Sequence, residues 1–179
     1  MIKESAVTPK PQTPTAKRLF YTLLLLALAT IAVASFATRY RGIIGFCTVL
    51  LVTAMLFVFN GYMAGEFRYE VFFDRSGTAC FLVMKTVGKK RTTLISFELA
   101  DIKKVSYETP EEQKAHKRPY GVKKYAYCPT LGNVPRIRLS VATRYESAEV
   151  LLEGGEEYAN MLDSYAKEAR LLRSNEIDD

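Results

Sequence analysis

"LFYTLLLLALATIAVASFAT" at residues 19–38 and "IIGFCTVLLVTAMLFVFNGYMA" at residues 43–64 decide the fold, because neither run contains a charged residue. An α-helix rises about 1.5 Å per residue, so about 20 apolar residues cross the roughly 30 Å hydrocarbon core of a bilayer. A helix also satisfies its own backbone hydrogen bonds, which lipid cannot do. The two runs therefore predict a transmembrane hairpin over residues 19–64.

The short stretch TRYRG at residues 38–42 is expected to form the tip of this hairpin. Arg39 and Arg41 can extend into the headgroup layer, and Tyr40 suits the membrane interface. Gly42 is expected to permit the turn.

Two other interpretations of the apolar runs remain open. They could form a buried helical hairpin of a soluble protein, although soluble cores rarely hold two adjacent uncharged runs of this length. The first run could also be a cleaved secretory signal, since Lys17 and Arg18 precede it as a basic region would. That run is long for a signal and the second run follows at once, so we expect both to be retained.

Two spans return the chain to the side on which it began, so both termini are expected on one side of the membrane. The tip has two basic residues, Arg39 and Arg41. The segments on the other side have six, namely Lys3, Lys10, Lys17, Arg18, Arg68 and Arg75. The positive-inside rule therefore predicts a multi-pass protein of the cell membrane whose termini and folded domain are cytoplasmic.

Outside the spans, composition indicates a tail, a folded domain and an acidic end. Residues 1–18, which include Pro11 and Pro14, are expected to form a flexible cytoplasmic tail. Residues 66–173 are sufficient for one domain of ordinary size. Residues 174–179, SNEIDD, are expected to form a disordered acidic C-terminus.

Charge is distributed unevenly within the domain. Residues 85–124 include eleven basic and five acidic residues, whereas residues 145–179 include three basic and ten acidic residues. The domain is thus expected to carry a basic region and an acidic region. The net charge of the whole chain is +6, and its bulk charge does not indicate a nucleic-acid partner.

The three cysteines, Cys47, Cys80 and Cys128, do not form a CxxC motif, so neither zinc binding nor thioredoxin-like chemistry is predicted. In a cytoplasmic domain Cys80 and Cys128 should be reduced. A disulfide between them would argue for the opposite orientation.

After Gly65 the apolar pattern changes to a period of two, which is typical of half-buried strands. Seven strands are predicted, at residues 67–73, 78–87, 90–99, 101–108, 122–128, 136–143 and 145–152. Gly88 and Lys89 predict a two-residue hairpin turn. Residues 109–121 are interpreted as a surface loop. Near-continuous antiparallel strands predict a meander or a partly open barrel.

Residues 156–173 have the spacing of an amphipathic helix. Its apolar face is expected to consist of Tyr158, Met161, Leu162, Tyr165, Ala169 and Leu172. We expect the helix to cap one end of the barrel. The alternative is that the same face binds a partner protein.

This arrangement resembles the bacterial membrane proteins that carry a pleckstrin-homology-like (PH-like) domain after two N-terminal transmembrane helices. The resemblance rests on EFRYEVFFDRSG at residues 66–77, KTVGKKRTTLISFELADIKKVSYE at residues 85–108 and VLLEGGEEYANMLDSYAKEARLL at residues 150–172. It implies an α+β PH-like domain, a partly open barrel of about seven antiparallel strands with a capping helix, behind a two-helix membrane hairpin. The family has no shared catalytic reaction to transfer to this chain.

The strongest chemical feature is KTVGKKR at residues 85–91, a hairpin tip with four basic residues. The residues expected to contact anionic lipid are Lys85, Lys89, Lys90, Arg91, Lys117, Arg118, Lys123 and Lys124. One Lys or Arg near an anionic membrane surface contributes about 1 kcal/mol. The alternative is a solvated tip whose lysines protect a strand edge from aggregation.

The sequence contains no recognisable arrangement of catalytic or cofactor-binding residues. His116, the only histidine, lies in a polar loop with no nucleophile or carboxylate at motif spacing. LEGGEE at residues 152–157 lacks the Lys and Ser or Thr of a P-loop. Glu146, Glu149 and Glu153 are expected on the solvated face of a strand.

The sequence thus predicts a membrane-anchored, non-catalytic binding or regulatory module without a cofactor or metal. Its expected partners are the membrane itself, anionic phospholipid, an unidentified membrane or peripheral protein, and a second copy of the chain. The alternative is a subunit of an oligomeric transporter or channel in which the PH-like part is an assembly domain. Asn60 is the only strongly polar side chain in the spans, whereas a transport path normally needs several.

Overall fold

The computed structural model of the protein describes residues 2–10, 14–36, 38–117, 119–143 and 146–178. These residues belong to two compact units. One unit consists of Met1–Lys10, Glu66–Cys128 and Asn133–Asp179, and the other of Pro11–Gly65 and Pro129–Gly132.

The second of these units contains a hairpin of two apolar helices. Helix α1 covers Thr15–Phe36, and helix α2 covers Arg41–Val58 and continues as a π-helical segment over Phe59–Met63. The hydroxyl oxygens of Thr30 and Thr48 lie 2.8 Å apart, so a hydrogen bond joins the two helices. Both helices are long and apolar enough to cross a membrane, and only 6% of each apolar window is buried. A core helix of a soluble protein would be mostly buried, so this exposure favours the membrane interpretation.

The tip of the hairpin differs from the expected turn at Gly42. Thr38–Tyr40 form a single 3₁₀ turn, and Arg41 is the first residue of α2. Gly42 therefore lies inside the helix, and its φ is not positive. The 3₁₀ turn reverses the chain, so the tip does not need the conformational freedom of glycine.

The other unit contains two four-stranded sheets instead of the single partly open barrel predicted from the sequence. In the first sheet the antiparallel order is β1 (Ser5–Val7), β2 (Glu66–Phe73), β3 (Ala79–Val87) and β4 (Lys90–Glu98). In the second sheet the order is β5 (Ile102–Glu108), β7 (Arg136–Ala142), β8 (Ser147–Leu152) and β6 (Lys123–Tyr127). In the part of the chain that the structure describes, these sheets do not close into a barrel.

Strand β1 comes from the segment that was expected to be a flexible tail. Its three residues pair with residues 69–71 of β2, and Ile2 beside it is buried in the core with 6% of its surface exposed. Residues 1–18 thus contain a strand and, from Thr15, the start of α1. A strand of three residues is too short to produce a recognisable period of two, so the sequence did not reveal it.

The pairing of β1 with β2 constrains the topology of the chain. β1 precedes the helical hairpin and β2 follows it, yet both belong to one sheet. They must therefore lie on the same side of any membrane that the hairpin crosses. Removal of α1 as a cleaved signal would also remove β1, so this pairing argues against that interpretation.

One strand pair is parallel, contrary to the expected antiparallel meander. Lys123 of β6 lies opposite Ala148 of β8, and Tyr127 lies opposite Leu152. The chain passes from β6 through residues 128–135 to β7, which pairs with the other edge of β8. The chain reverses its direction between β6 and β7 and again between β7 and β8, so β6 and β8 have the same direction. The periodicity of the individual strands contains no information about this order.

The expected loop over residues 109–121 contains a short helix, α3, at Pro110–Ala115. Thr109 begins this helix with a capping box. The N–H of Glu112 donates to the Thr109 side chain, and the N–H of Thr109 donates to the Glu112 carboxylate at 2.8 Å. These two bonds satisfy backbone donors that the first turn of a helix leaves without partners.

Helix α4 covers Glu156–Asp178 and packs against a 3₁₀ turn at Leu99–Asp101 and against β5. The core residues that it contributes are Ala159, Leu162, Ala166 and Ala169, with Tyr158, Met161 and Tyr165 partly buried. Leu172 is 55% exposed, so the expected apolar face ends one turn earlier. The helix continues past Arg173 into residues that were expected to be disordered. Arg173 anchors this end by donating to Asp101 at 2.9 Å.

Candidate functional site

The basic tip lies at the hairpin between β3 and β4. Val87 pairs with Lys90, so Gly88 and Lys89 form the turn between the strands. Gly88 has a φ of 59°, a left-handed conformation that glycine adopts without steric cost. The predicted two-residue turn is confirmed.

The tip combines exposed cations with an exposed apolar side chain. Its exposed residues are Val87, Lys89, Lys90 and Arg91. Lys85 lies further from the turn, where its ammonium group is 5.4 Å from the centre of the Phe67 ring in a cation–π contact. Basic side chains beside an apolar one suit the boundary between headgroups and acyl chains.

The register of the first sheet shows which of its ends carries the tip. Glu66, the first residue of β2, lies opposite Thr86 beside the turn. Val7, the last residue of β1, lies opposite Tyr69, so β1 runs towards the same end. The chain therefore leaves β1 and enters β2 at the end of the sheet where the basic tip is found.

The other residues expected to contact lipid lie on or beside the second sheet. Three of them are exposed lysines, Lys117, Lys123 and Lys124. Arg118 lies outside the described residues. The far end of β6 is at Tyr127, whose ring centre is 6.4 Å from that of Phe67. Lys123 is four residues from this contact, which corresponds to about 13 Å along an extended strand. Lys123 and Lys124 thus belong to a different sheet from the tip, and together with Lys117 they are called the second basic group below.

One member of the second basic group already has an anionic partner. The ammonium group of Lys123 donates to the carboxylate of Glu146. This hydrogen bond and the negative charge of Glu146 raise the pKa of Lys123. The charge of Lys123 is therefore partly balanced within the chain.

A charge network in the second sheet consists of the buried residues Glu108, Arg138 and Glu149 and of the exposed His116 at its edge. Nε and Nη2 of Arg138 each donate to the Glu108 carboxylate at 2.7 Å, and Nη1 donates to Glu149 at 2.6 Å. The other carboxylate oxygen of Glu149 lies 2.8 Å from Nε2 of His116. Arg138 alternates along β7 with Ile137 and Leu139 of the core, so the network occupies the opposite face of the sheet.

The hydrogen bonds of the network stabilise the packing of the strands that carry its residues. Burial tends to raise the pKa of Glu108, but the hydrogen bonds and charge of Arg138 outweigh burial and hold that pKa below its ordinary value. The hydrogen bonds that Arg138 donates to Glu108 are also the main reason that the pKa of Arg138 is raised. All four carboxylate oxygens of Glu108 and Glu149 have a partner. The network joins β5, β7 and β8 to the segment that follows α3.

The sequence did not reveal this network. Glu149 and Glu153 were expected on a solvated face, but only 4% and 1% of their surfaces are exposed. Glu146 is exposed as expected. His116, interpreted as part of a polar loop, bonds to Glu149. The partners come from strands far apart in the chain, so only the pairing register brings them together.

The cysteines are free thiols, so Cys80 and Cys128 do not form a disulfide. Burial raises the pKa of Cys128 to about 11 and also raises the pKa of Cys80. A thiol with a raised pKa is protonated at neutral pH and is a poor nucleophile or metal ligand.

A groove of about 520 Å³ lies at the other end of the first sheet, beside the turn that joins β2 to β3. Its lining includes Glu98, Asp101 and Arg173. The guanidinium group of Arg173 is already held by Asp101, as described above. Among the described residues, no cluster of three or more His, Cys, Asp or Glu side chains could hold a metal ion.

No protein-family model matches the chain, and no curated protein or solved structure matches it. Two helices that could span a membrane are followed by seven strands and a C-terminal helix, and these strands form two four-stranded sheets together with β1, which precedes the helices.

Proposed function

We propose that this chain is a membrane-anchored, non-catalytic binding module of bacterial type, with a PH-like domain whose basic tip contacts anionic lipid headgroups. The observation that carries this proposal is that three features lie at the same end of the first sheet. They are the last residue of β1, the first residue of β2 and the basic turn between β3 and β4. The segments that connect the sheet to the apolar helices both start from that end.

The connection between the second apolar helix and β2 is short, which supports the proposed contact of the tip with lipid. Only Ala64 and Gly65 separate the π-helical end of α2 at Met63 from β2 at Glu66. Such a tether raises the effective concentration of headgroups around the tip, so that even weak contacts orient the domain. Lipid contact would therefore set the orientation of the domain, because the helices already provide its attachment.

The composition of the tip supports lipid contact over simple solvation. A tip that only protects a strand edge needs charge, and Lys90 and Arg91 would provide it. The exposed Val87 lies opposite Lys90 and adds apolar surface beside these cations, and burial of that surface against lipid would be favourable. A cytoplasmic domain would meet the leaflet that carries most of the anionic lipid, which agrees with the distribution of basic residues around the spans.

Protein partners would bind elsewhere on the domain. The second basic group lies on a different sheet from the tip and borders β6, whose outer edge has no strand partner in the described residues. We propose that an unidentified membrane or peripheral protein binds such a sheet edge, and that copies of the chain associate with each other.

A subunit of an oligomeric transporter or channel is the alternative function. Thr22, Thr48 and Thr53 donate hydrogen bonds to carbonyl groups four residues earlier in their own helices. Hydroxyls used in this way do not line a polar path, which favours the binding module. Solute flux in proteoliposomes that contain only this purified chain would support the transporter instead.

The lipid contact can be tested with a polarity-sensitive dye attached to full-length protein in nanodiscs. Full-length protein is needed because residues 66–179 alone would lack β1 and Ile2. With the dye at Val87→Cys, we expect a shift to apolar emission in nanodiscs with anionic lipid, and its reversal by salt. A dye at Arg75→Cys, at the opposite end of the sheet, should not respond. Identical emission at Val87→Cys in anionic and zwitterionic nanodiscs would remove the lipid role.

A charge-neutralised variant tests which residues make this contact. Replacement of Lys89, Lys90 and Arg91 by Gln should abolish the dye shift in anionic nanodiscs, because each cation contributes about 1 kcal/mol of attraction. The matched control replaces three exposed lysines away from the tip, Lys103, Lys104 and Lys114, by Gln. Equal loss in both variants would indicate a general effect of net charge and would contradict the assignment to the tip.

A further inference from the structure

The groove at the end of the first sheet that lies away from the basic tip has the size of a binding site. Its volume is about 520 Å³, and ligand sites in proteins commonly measure about 300–1,000 Å³. Its walls are formed by the turn between β2 and β3, by the 3₁₀ turn at Leu99–Asp101 and by the end of α4. All three belong to the same compact unit.

Exposed apolar side chains line this groove. Phe73 is 40% exposed and Leu172 is 55% exposed, and both belong to the lining together with the buried Ala100 and Ala169. Outside the apolar helices, few large hydrophobic side chains of the described residues are exposed. Two of them in one concave surface are typical of a site that binds an apolar group.

The polar part of the groove already holds a guanidinium group. Nη1 of Arg173 donates to Asp101 at 2.9 Å. The same nitrogen lies 3.6 Å from the Glu98 carboxylate, which is close enough for an ion pair but too far for a hydrogen bond. The Glu98 side chain is 47% exposed. Because one guanidinium group serves two carboxylates, Glu98 can accept hydrogen bonds from a further cation.

The turn that forms one wall of the groove is held by its own hydrogen bonds. The Asp74 carboxylate accepts from the backbone N–H groups of Ser76 and Thr78, each at 2.9 Å, and from the Ser76 hydroxyl at 2.6 Å. These hydrogen bonds, that of the Ser76 hydroxyl first, lower the pKa of Asp74, so its carboxylate remains ionised at neutral pH. A wall that is ordered before binding reduces the entropic cost of binding.

We propose that this groove binds a basic amphipathic segment of a peripheral protein. An apolar side chain of the segment would contact Phe73 and Leu172, and a Lys or Arg side chain would donate to Glu98. Charge complementarity favours this occupant, because the two carboxylates and one guanidinium group of the lining leave one negative charge without a counterpart. Residues 145–179, which include α4, are also mainly acidic.

This inference rests on the proposed function as a protein-binding module and adds the chemistry of the partner. The groove is separate from the outer edge of β6, since its lining includes no residue of that strand. Binding in the groove requires no lipid contact by the basic tip. The two proposals can therefore fail independently.

A short cationic peptide with an indole group can serve as the probe. The chain contains no tryptophan, so the tryptophan emission of acetyl-Trp-Arg-Leu-Arg-amide would report only on the peptide. Full-length protein in an uncharged detergent would be titrated, with protein-free micelles as the blank. We expect a saturable shift of the emission to shorter wavelength that salt weakens.

Paired substitutions at exposed positions locate the binding. Glu98→Gln should weaken the apparent affinity about threefold to fivefold, because one exposed ion pair is lost. Leu172→Ser should also weaken it, because apolar contact is lost. The matched controls are Glu111→Gln, which makes the same charge change on α3, and Leu171→Ser, whose side chain does not line the groove. Both controls should leave the affinity unchanged.

Several results would contradict the proposal. They are absence of a saturable shift, equal weakening by Glu98→Gln and Glu111→Gln, and equal binding of a probe in which Glu replaces both Arg residues. Self-association of the purified chain that both Glu98→Gln and the charge-neutralised tip variant abolish would assign the groove to a second copy instead. The dye experiment at Val87→Cys is unaffected by these results, so failure of the probe to bind leaves the proposed lipid contact standing.

Discussion

Arg138 is the residue on which the buried charge network depends, because it provides three hydrogen bonds to two carboxylates. We predict that Arg138→Met lowers the free energy of unfolding by about 3–5 kcal/mol, since two buried carboxylates would lose the guanidinium group that lies between them. Denaturant titration of full-length protein in detergent, followed by tyrosine fluorescence, would measure this loss. Lys123→Met, which removes the exposed ion pair with Glu146, should cost only about 0–1 kcal/mol. Equal effects of the two substitutions would contradict the structural role of the network.

Glu108 gives the stability of the domain a defined dependence on pH. Its pKa is lower in the folded chain than the ordinary value of 4.5, so the folded state holds the proton less tightly than the unfolded state. The resulting stability is fully present above the ordinary pKa and is lost as pH falls through the folded pKa. We therefore expect the denaturant concentration at the unfolding midpoint to decrease when the pH is lowered below about 4.5. This decrease with pH should be less steep in Glu108→Gln. A Glu108→Gln variant with unchanged pH dependence would rule out this contribution.

Individual residues differ in how far the sequence predicts their roles. Gly88 was predictable because a two-residue hairpin turn has a local chemical requirement that glycine meets. Glu149 was not predictable, because its burial depends on Arg138 and His116, which other parts of the fold bring to it. Local signals reveal turns, whereas buried ion pairs require knowledge of strand register.

At the scale of elements, β1 is the feature that most changes the account of the domain. Ile2→Ala should lower the free energy of unfolding by about 2 kcal/mol or more, because a buried aliphatic side chain is removed from the core. Lys3→Ala next to it, at an exposed position, should change it by less than about 0.5 kcal/mol. The rate of hydrogen exchange at the β2 amides should rise in Ile2→Ala and not in Lys3→Ala. Unchanged stability of Ile2→Ala would show that the N-terminal segment is not part of the folded domain.

Periodicity predicted the elements that are long and half-buried. The seven expected strands and helix α4 are present near their predicted positions, because each has enough residues to show an apolar face. β1 has too few residues for such a pattern. Helix α3 has a capping-box signal in Thr109 and Glu112, but its short length and the flanking prolines favoured a loop. The parallel pairing of β6 with β8 follows from strand order, which no single element encodes.

At the scale of the whole molecule, the helical hairpin lies in the sequence between β1 and β2, which are neighbouring strands of one sheet. The two apolar runs were predictable from length and composition alone. The basic tip was also predictable. The sequence did not show that the tip belongs to one sheet and that Lys123 and Lys124 belong to the other, because this depends on the division into two sheets. The pairing of β1 with β2 adds a constraint on topology that does not rely on counting charges.

Cysteine accessibility in sealed, right-side-out membrane vesicles tests the central claim, namely that two spans connect strands of one cytoplasmic sheet. Three single-cysteine variants are needed, Lys3→Cys before the hairpin, Tyr40→Cys at its tip and Arg75→Cys in the domain. We predict that an impermeant maleimide labels only Tyr40→Cys from outside, and that Lys3→Cys and Arg75→Cys are labelled only after the vesicles are opened. Labelling of Lys3→Cys and Arg75→Cys from opposite sides, or of Tyr40→Cys from the same side as both, would contradict the account.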